Sequence, residues 1–253
     1  MYLRILLATL FAVVFNVASL SAVEVYSTAP QLNDGKVVFS LWYDKEHKKP
    51  VTFKSLKTVH TKKMHVMVID DSLKHFSHLH PTESKKVTGS YEFSWKPSCG
   101  NTFKMWVDIT PTSSSKPIYV PIILQEGKGA KSIVKDVELE RKIDNFDFKL
   151  EFDDKPKVGA PLMGKITVTE NGKQFNKLEP VLGAFVHIAA FGEDFNSFFH
   201  THPMGKEPKS LKDRGAGAIA FHVEGLKKGY VKLFAQFKIG GKDVIVPFGF
   251  VVE

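Results

Sequence analysis

Two strings in the chain combine residue types that can hold a transition metal. VHTKKMHVMVIDDSLKHFSHLHP runs from Val59 to Pro81, and VLGAFVHIAAFGEDFNSFFHTHP runs from Val181 to Pro203. A shift of 122 residues superimposes His65 on His187, Phe76 on Phe198, His78 on His200, His80 on His202 and Pro81 on Pro203. The shared skeleton is a histidine, twelve residues, and then His-x-His-Pro. Neutral imidazole accepts copper or zinc, whereas calcium and magnesium sites are built from oxygen. Three imidazoles brought to one point can hold a cation at about 2.0–2.1 Å per nitrogen.

Such convergence needs a scaffold that points the rings the same way. Met64 to Ile69 and Lys74 to His80 are strand-like and flank Asp70, Asp71 and Ser72, residues that favour turns, so a hairpin is predicted. A turn centred between Asp71 and Ser72 sets His65 directly opposite His78. One centred between Glu193 and Asp194 sets His187 opposite His200. Opposed residues have Cβ atoms about 4.5–5.5 Å apart, and alternate residues of a strand share a face. His65, His78 and His80 are therefore expected on one face, and His187, His200 and His202 on the corresponding face of the second copy. A one-residue slip would send His65 to the other side.

Other groups nearby bear on the metal. Met64 and Met67 flank His65, and Met204 follows His202-Pro203; thioether is a soft ligand that favours copper(I). Asp108 is the candidate fourth ligand of the first copy, or a carboxylate that orients a ligating imidazole. Its counterpart is Gln236, so that role is not expected in the second copy, where His222 is the candidate substitute. His47, His60 and His75 are read as surface or core histidines.

The likeness of the two strings extends along the chain. Gly89 to Ile109 aligns with Gly217 to Phe237 with one residue inserted before Gly229, and each copy ends in an apolar run, Ile118 to Leu124 and Val244 to Val252. Self-similarity at a fixed offset is the mark of a duplicated domain. Between the copies, Gln125 to Asp144 is rich in Gly, Lys and Glu and reads as linker plus edge strand. Elsewhere apolar and polar residues alternate over five to eight positions, as in Lys36 to Trp42, Phe103 to Ile109 and Phe146 to Phe152, with Val, Ile and aromatic residues prominent. The predicted fold is all-β: two tandem antiparallel β-sandwich domains, immunoglobulin-like or cupredoxin-like, related by internal duplication. The expected boundaries are 1–22 for a signal peptide, 23–124 for the first repeat, 125–145 for the linker and 146–253 for the second repeat.

Composition narrows the function classes. The chain has 253 residues, ten histidines and one cysteine. A single cysteine excludes an intrachain disulfide framework and a Cys-x-x-Cys metal or redox site. Arg4, the apolar run from Ile5 to Phe15 and the small residues Ala18, Ser19, Ser21 and Ala22 form a secretory signal pattern, so the mature protein is expected in the periplasm or outside the cell, without stable membrane insertion. The net charge of +8 is spread over scattered lysines, as on a solvated surface, and nucleic acid is not an expected partner. No Gly-x-Ser-x-Gly string supports a nucleophile. Neither Glu83 nor Glu193, the residues that could serve as a base, recurs in the other copy. Cys99 is read as incidental, and no catalysis is expected.

The strings MHVMVIDDSLKHFSHLHP and VHIAAFGEDFNSFFHTHP, followed by an aromatic strand such as FKMWVDI, resemble an exported bacterial β-sandwich domain marked by His-Met-His and His-x-His-Pro and associated with heavy-metal handling. The resemblance covers most of each repeat and implies metal binding at His65, His78 and His80 and at His187, His200 and His202. Lys63 stands where the first histidine of His-Met-His would be, and Phe185 and Val186 replace its first two residues in the second copy. A looser similarity to CopC-type periplasmic copper proteins rests on fold and compartment, and the N-terminal His and Asp-x-His pattern of that group is absent. The leading expectation is an exported copper-binding protein for sequestration or delivery, with one histidine site per repeat and a metal-transport or metal-resistance partner. Zinc is the alternative ion, and a metal-free tandem adhesion module is the alternative function.

Overall fold

In a computed structural model the described residues are 23–128, 132–201 and 203–253. The signal peptide expected at residues 1–22 and the candidate ligand His202 lie outside them. The described residues form eighteen strands and one turn of 3-10 helix at Phe53–Ser55.

The first repeat contributes β1 (Tyr26–Ser27), β2 (Gln31–Asn33), β3 (Lys36–Trp42), β4 (Met64–Asp70), β5 (Ser77–Leu79), β6 (Thr82–Glu83), β7 (Ser90–Ser94), β8 (Phe103–Ile109) and β9 (Ile118–Gln125). The second contributes β10 (Glu140–Ile143), β11 (Phe146–Phe152), β12 (Leu162–Glu170), β13 (Lys173–Gln174), β14 (His187–Gly192), β15 (Phe198–Thr201), β16 (Ala218–Val223), β17 (Gly229–Ile239) and β18 (Lys242–Val252). β10 falls inside the segment read as linker: Asp144 takes a positive φ of 52°, and the turn it makes folds Glu140–Ile143 back onto β11.

Each repeat is a sandwich of two antiparallel sheets. In the first, β1-β3-β7-β6, with β2 beside β3, faces β5-β4-β8-β9. In the second, β10-β11-β12-β13, with β16 on β12, faces β15-β14-β17-β18. The strand order β5-β4-β8-β9 recurs as β15-β14-β17-β18, so the chain is two tandem β-sandwiches related by duplication.

Three apolar layers separate the four sheets. Val37, Phe39, Leu41 and Tyr91 pack on Met64, Val66, Val68, Met105 and Val107 inside the first repeat. Phe148, Ile166, Val168 and Phe221 pack on Ile188, Ala190, Leu233 and Phe237 inside the second. A third layer joins the repeats, with Met67, Ile69, Leu73 and Trp106 against Ala189, Phe191, Phe195, Tyr230 and Phe234. Each large side chain buried there contributes about 1.5–3 kcal/mol.

This third layer explains why β4, β8 and β14 are buried at every position. Their even and odd faces are both covered, one by the repeat's own core and one by the opposite repeat. His65 shares a face of β4 with Met67 and Ile69, and His187 shares a face of β14 with Ala189 and Phe191. Both histidines therefore point into the layer between the repeats.

Candidate metal centre

The hairpins form with a register two residues away from the expected one. Met67, not His65, pairs with His78, and Ala189, not His187, pairs with His200. Each turn is longer than the sequence suggested because an aspartate ties it down: in the first, the Asp70 carboxylate accepts from the backbone N–H groups of Lys74 and His75 at 2.8 Å each, and in the second, Asp194 accepts from those of Asn196 and Ser197 at 2.9 and 2.6 Å, so β5 begins only at Ser77 and β15 at Phe198. A shift of two preserves the face. His65, His78 and His80 point the same way, with one nitrogen from each within 4.8 Å of the others.

The contacts are closer than that. His65 Nδ1 lies 3.1 Å from His78 Nε2 and 3.2 Å from His80 Nε2. Ligand nitrogens around a tetrahedral copper or zinc ion, at about 2.0–2.1 Å each, stand roughly 3.3 Å apart. The spacing fits an ion held by all three rings.

The outer nitrogens fix the tautomers. His65 Nε2–H donates to the Val59 carbonyl at 3.1 Å. His78 Nδ1–H donates to Gln236 Oε1 at 2.8 Å. The Gln236 amide is oriented by its other end, where Nε2 donates to Asp243 Oδ2 at 3.4 Å. His65 Nδ1 and His78 Nε2 are thus both lone-pair nitrogens, and two lone pairs facing at 3.1 Å have no hydrogen between them. His80 can donate to His65 Nδ1 in one of its tautomers, but that leaves the His65–His78 contact unbridged. A cation held between the rings would satisfy both lone pairs at once.

The second repeat builds the same device. His187 Nε2–H donates to the Val181 carbonyl at 3.1 Å, His187 Nδ1 faces His200 Nε2 at 3.5 Å, and His200 Nδ1 bonds Asp108 Oδ2 at 2.6 Å. Asp108 therefore does not serve His65 of its own repeat; it holds His200 of the other. Gln236 does the equivalent for His78, so the role expected of Asp108 alone is shared by its counterpart, with the repeats exchanged. His222, the expected substitute, stands on β16 of the outer sheet, beside Glu224.

The two sets are also not separate sites. His65 lies 5.5 Å from His200 and His78 lies 5.4 Å from His187, centroid to centroid, so His65, His78, His80, His187 and His200 form one cluster of five imidazoles from both repeats. His60, read as an ordinary histidine, sits 5.6 Å from His187 at its margin. A surface cleft of about 370 Å³ lined by Lys62, His78, His80, Gly183, Gln236 and Asp243 connects the first set to solvent.

Burial controls the charge. It pushes His65 down to about 4, and His78 and His80 down to about 3, each reinforced by neighbouring imidazoles. Burial likewise holds His200 well below its ordinary value and raises Asp108 to about 6. The rings of the first set are neutral at physiological pH, the state in which imidazole binds metal.

The methionines divide. Met67 lies opposite His78 on the histidine face, fully buried. Met64 faces the other way, into the core of the first repeat. Met204 is 55% exposed on a loop and lines a different pocket, with Phe185, Lys206 and Arg214. Sequence reasoning missed the part played by Gln236 and the junction of the repeats. Its signal was present in MHVMVID, where Met67 and Ile69 make the second face of the strand apolar as well, unlike a strand with one wet face.

Among solved structures, the chain is similar to Escherichia coli alpha-2-macroglobulin activated by porcine elastase, at 11% identity and a TM-score of 0.24, over 90% of this chain and 21% of that one. It is similar to Salmonella alpha-2-macroglobulin reacted with methylamine at 7% identity and a TM-score of 0.22, over 90% of this chain and 14% of that one. A marsupial T cell receptor matches at 12% identity and a TM-score of 0.24, over 92% of this chain and 73% of that one. The chain thus spans 21% and 14% of the length of the two macroglobulins. No curated protein matches it. One family profile, described as a domain of unknown function (DUF8832), matches twice, over residues 22–123 and 141–253, and the chain belongs to that family, with two copies of its domain.

Proposed function

We propose that the protein is an exported metal-binding protein that sequesters or delivers copper, with His65, His78 and His80 as ligands and His187, His200 and His202 as the matching set. The observation that carries this reading is the 3.1 Å approach of His65 Nδ1 to His78 Nε2, two lone-pair nitrogens whose outer N–H groups are already committed. Such a contact is unfavourable without a cation and favourable with one. Met67 is the register partner of His78 on the histidine face, and a soft thioether at that position would favour copper(I) over zinc. The cleft at His78 and His80 gives the ion a way in and gives a transport or resistance partner a way to collect it. The reading includes no catalysis: the ion would be cargo, held by neutral imidazoles.

The test is titration of the mature chain with copper(I), copper(II) and zinc, compared with His78→Ala/His80→Ala and His200→Ala/His202→Ala. Loss of about one equivalent in the first double variant is the expected result. Stoichiometry unchanged by either, or no uptake at all, would favour the metal-free tandem interaction module.

A further inference from the structure

The two glutamine and carboxylate contacts of the centre cross between the repeats. Gln236, on β17 of the second repeat, receives the Nδ1–H of His78 from the first; Asp108, on β8 of the first, holds Nδ1 of His200 from the second. Asp108 sits beside His65 in the β4–β8 register and Gln236 sits beside His187 in the β14–β17 register, so the two acceptors are equivalent positions of the duplicated fold. Each reaches past its own neighbouring histidine to a ring of the opposite repeat.

We infer that each repeat positions the other's ligands, with Gln236 and Asp108 as positioning residues, so that ion loading and docking of the two repeats are linked. The inference rests on the metal reading above and adds what regulates that site. Three observations support it. The acceptor at 2.8 Å fixes His78 with Nδ1 protonated, which leaves Nε2 as the nitrogen aimed at His65. Gln236 is itself oriented, by Asp243 on β18, so the chain Asp243–Gln236–His78 delivers a defined ring orientation from the second repeat to the first. The arrangement occurs twice, once with an amide and once with a carboxylate. Groups that hold the outer nitrogen of a ligating histidine typically set metal affinity by about 10- to 100-fold. Because a ligand that prefers the docked arrangement stabilises it by the same factor, an ion on first-repeat histidines should tighten the second repeat against the first.

Full-length Gln236→Met keeps the side-chain length and loses the acceptor; Gln236→Glu keeps an acceptor. Both are titrated with zinc and with copper(I) against a competing chelator, and the metal-free imidazoles are read by nitrogen-15 NMR. Sheet content by circular dichroism establishes that both variants fold. Gln236→Met is expected to bind the first-set ion about 10- to 100-fold more weakly and to lose the Nδ1–H tautomer of His78, and Gln236→Glu to retain both properties. Loading of the wild type is expected to slow amide exchange in β14 and β17, and Gln236→Met to abolish that gain. Affinity within twofold of wild type, together with an unchanged His78 tautomer in Gln236→Met, would overturn the inference. If the wild-type chain takes up no ion, the metal reading falls separately, and the tautomer spectrum still decides whether Gln236 positions His78.

Discussion

The indole of Trp106 and the ring of Phe198 lie face to face at 5.0 Å across the repeats, and Phe76 stacks on Phe234 at 4.6 Å in the same arrangement with the repeats exchanged. These pairs flank the imidazole cluster, so the platform that carries the histidines is shared by both domains. Trp106→Ala removes a side chain only 7% exposed and should destabilise the chain by about 3–5 kcal/mol. Urea unfolding followed by circular dichroism checks this. A loss below about 1 kcal/mol would mean that the repeats are held together elsewhere.

Acid should weaken the metal-free protein through its histidines. The folded-state values of about 4 for His65 and about 3 for His78 and His80 lie below the ordinary unfolded value near 6.5. Below that value the unfolded chain binds protons that the folded one refuses, so stability present above about pH 6.5 is lost as pH falls toward 3–4. Each group contributes up to about 1.4 kcal/mol per pH unit in that window. Urea midpoints at pH 7.5 and 5.0 measure the slope, and His78→Gln/His80→Gln should flatten it. An unchanged slope in that variant would place the sensitivity in other groups.

Two of the residues singled out in the sequence should prove dispensable. Met204 is 55% exposed and the His222 side chain 40% exposed, both away from the imidazole cluster. Met204→Ala and His222→Ala are expected to leave metal affinity within twofold of wild type and stability within about 0.5 kcal/mol. Isothermal titration of the two variants decides it.

The turn next to the cluster is expected to be intolerant. Gly183 adopts φ +81°, and a Cβ there would meet the Thr61 methyl at 3.1 Å, where the corresponding turn of the first repeat approaches it. Gly183→Ala therefore combines backbone strain with pressure between the repeats, and a loss of about 1 kcal/mol or more is expected in chemical unfolding. Gly172, also at positive φ but with open space around it, serves as the comparison, since its alanine variant carries the strain alone.

Much of this was legible in the sequence. The duplication, the strands around Lys36–Trp42, Phe103–Ile109 and Phe146–Phe152, and the common face of His65, His78 and His80 follow from alternation and from one fixed offset. The hairpin register was not legible, because it depends on which aspartate of each turn captures the backbone, Asp70 that of Lys74 and His75 and Asp194 that of Asn196 and Ser197. Nor was the meeting of the two histidine sets. Alternation tells which residues share a face, but it does not tell what covers that face. The exchanged roles of Asp108 and Gln236 were hidden for the same reason: read within one repeat, an aspartate in one copy and a glutamine in the other look like a feature lost.

The exchange of contacts between the halves has the form of a two-fold dimer interface, but here the partners are tied in one chain. In a homodimer, whatever stands at one acceptor position must stand at the other. The fused arrangement lifts that requirement, and this protein has used the freedom: an amide orients one imidazole pair and a carboxylate the other, and His80 is matched in sequence by His202 while His60 is matched by Leu182. The two halves can therefore diverge in how each imidazole pair is held, which a symmetric assembly of identical chains could not do by sequence alone.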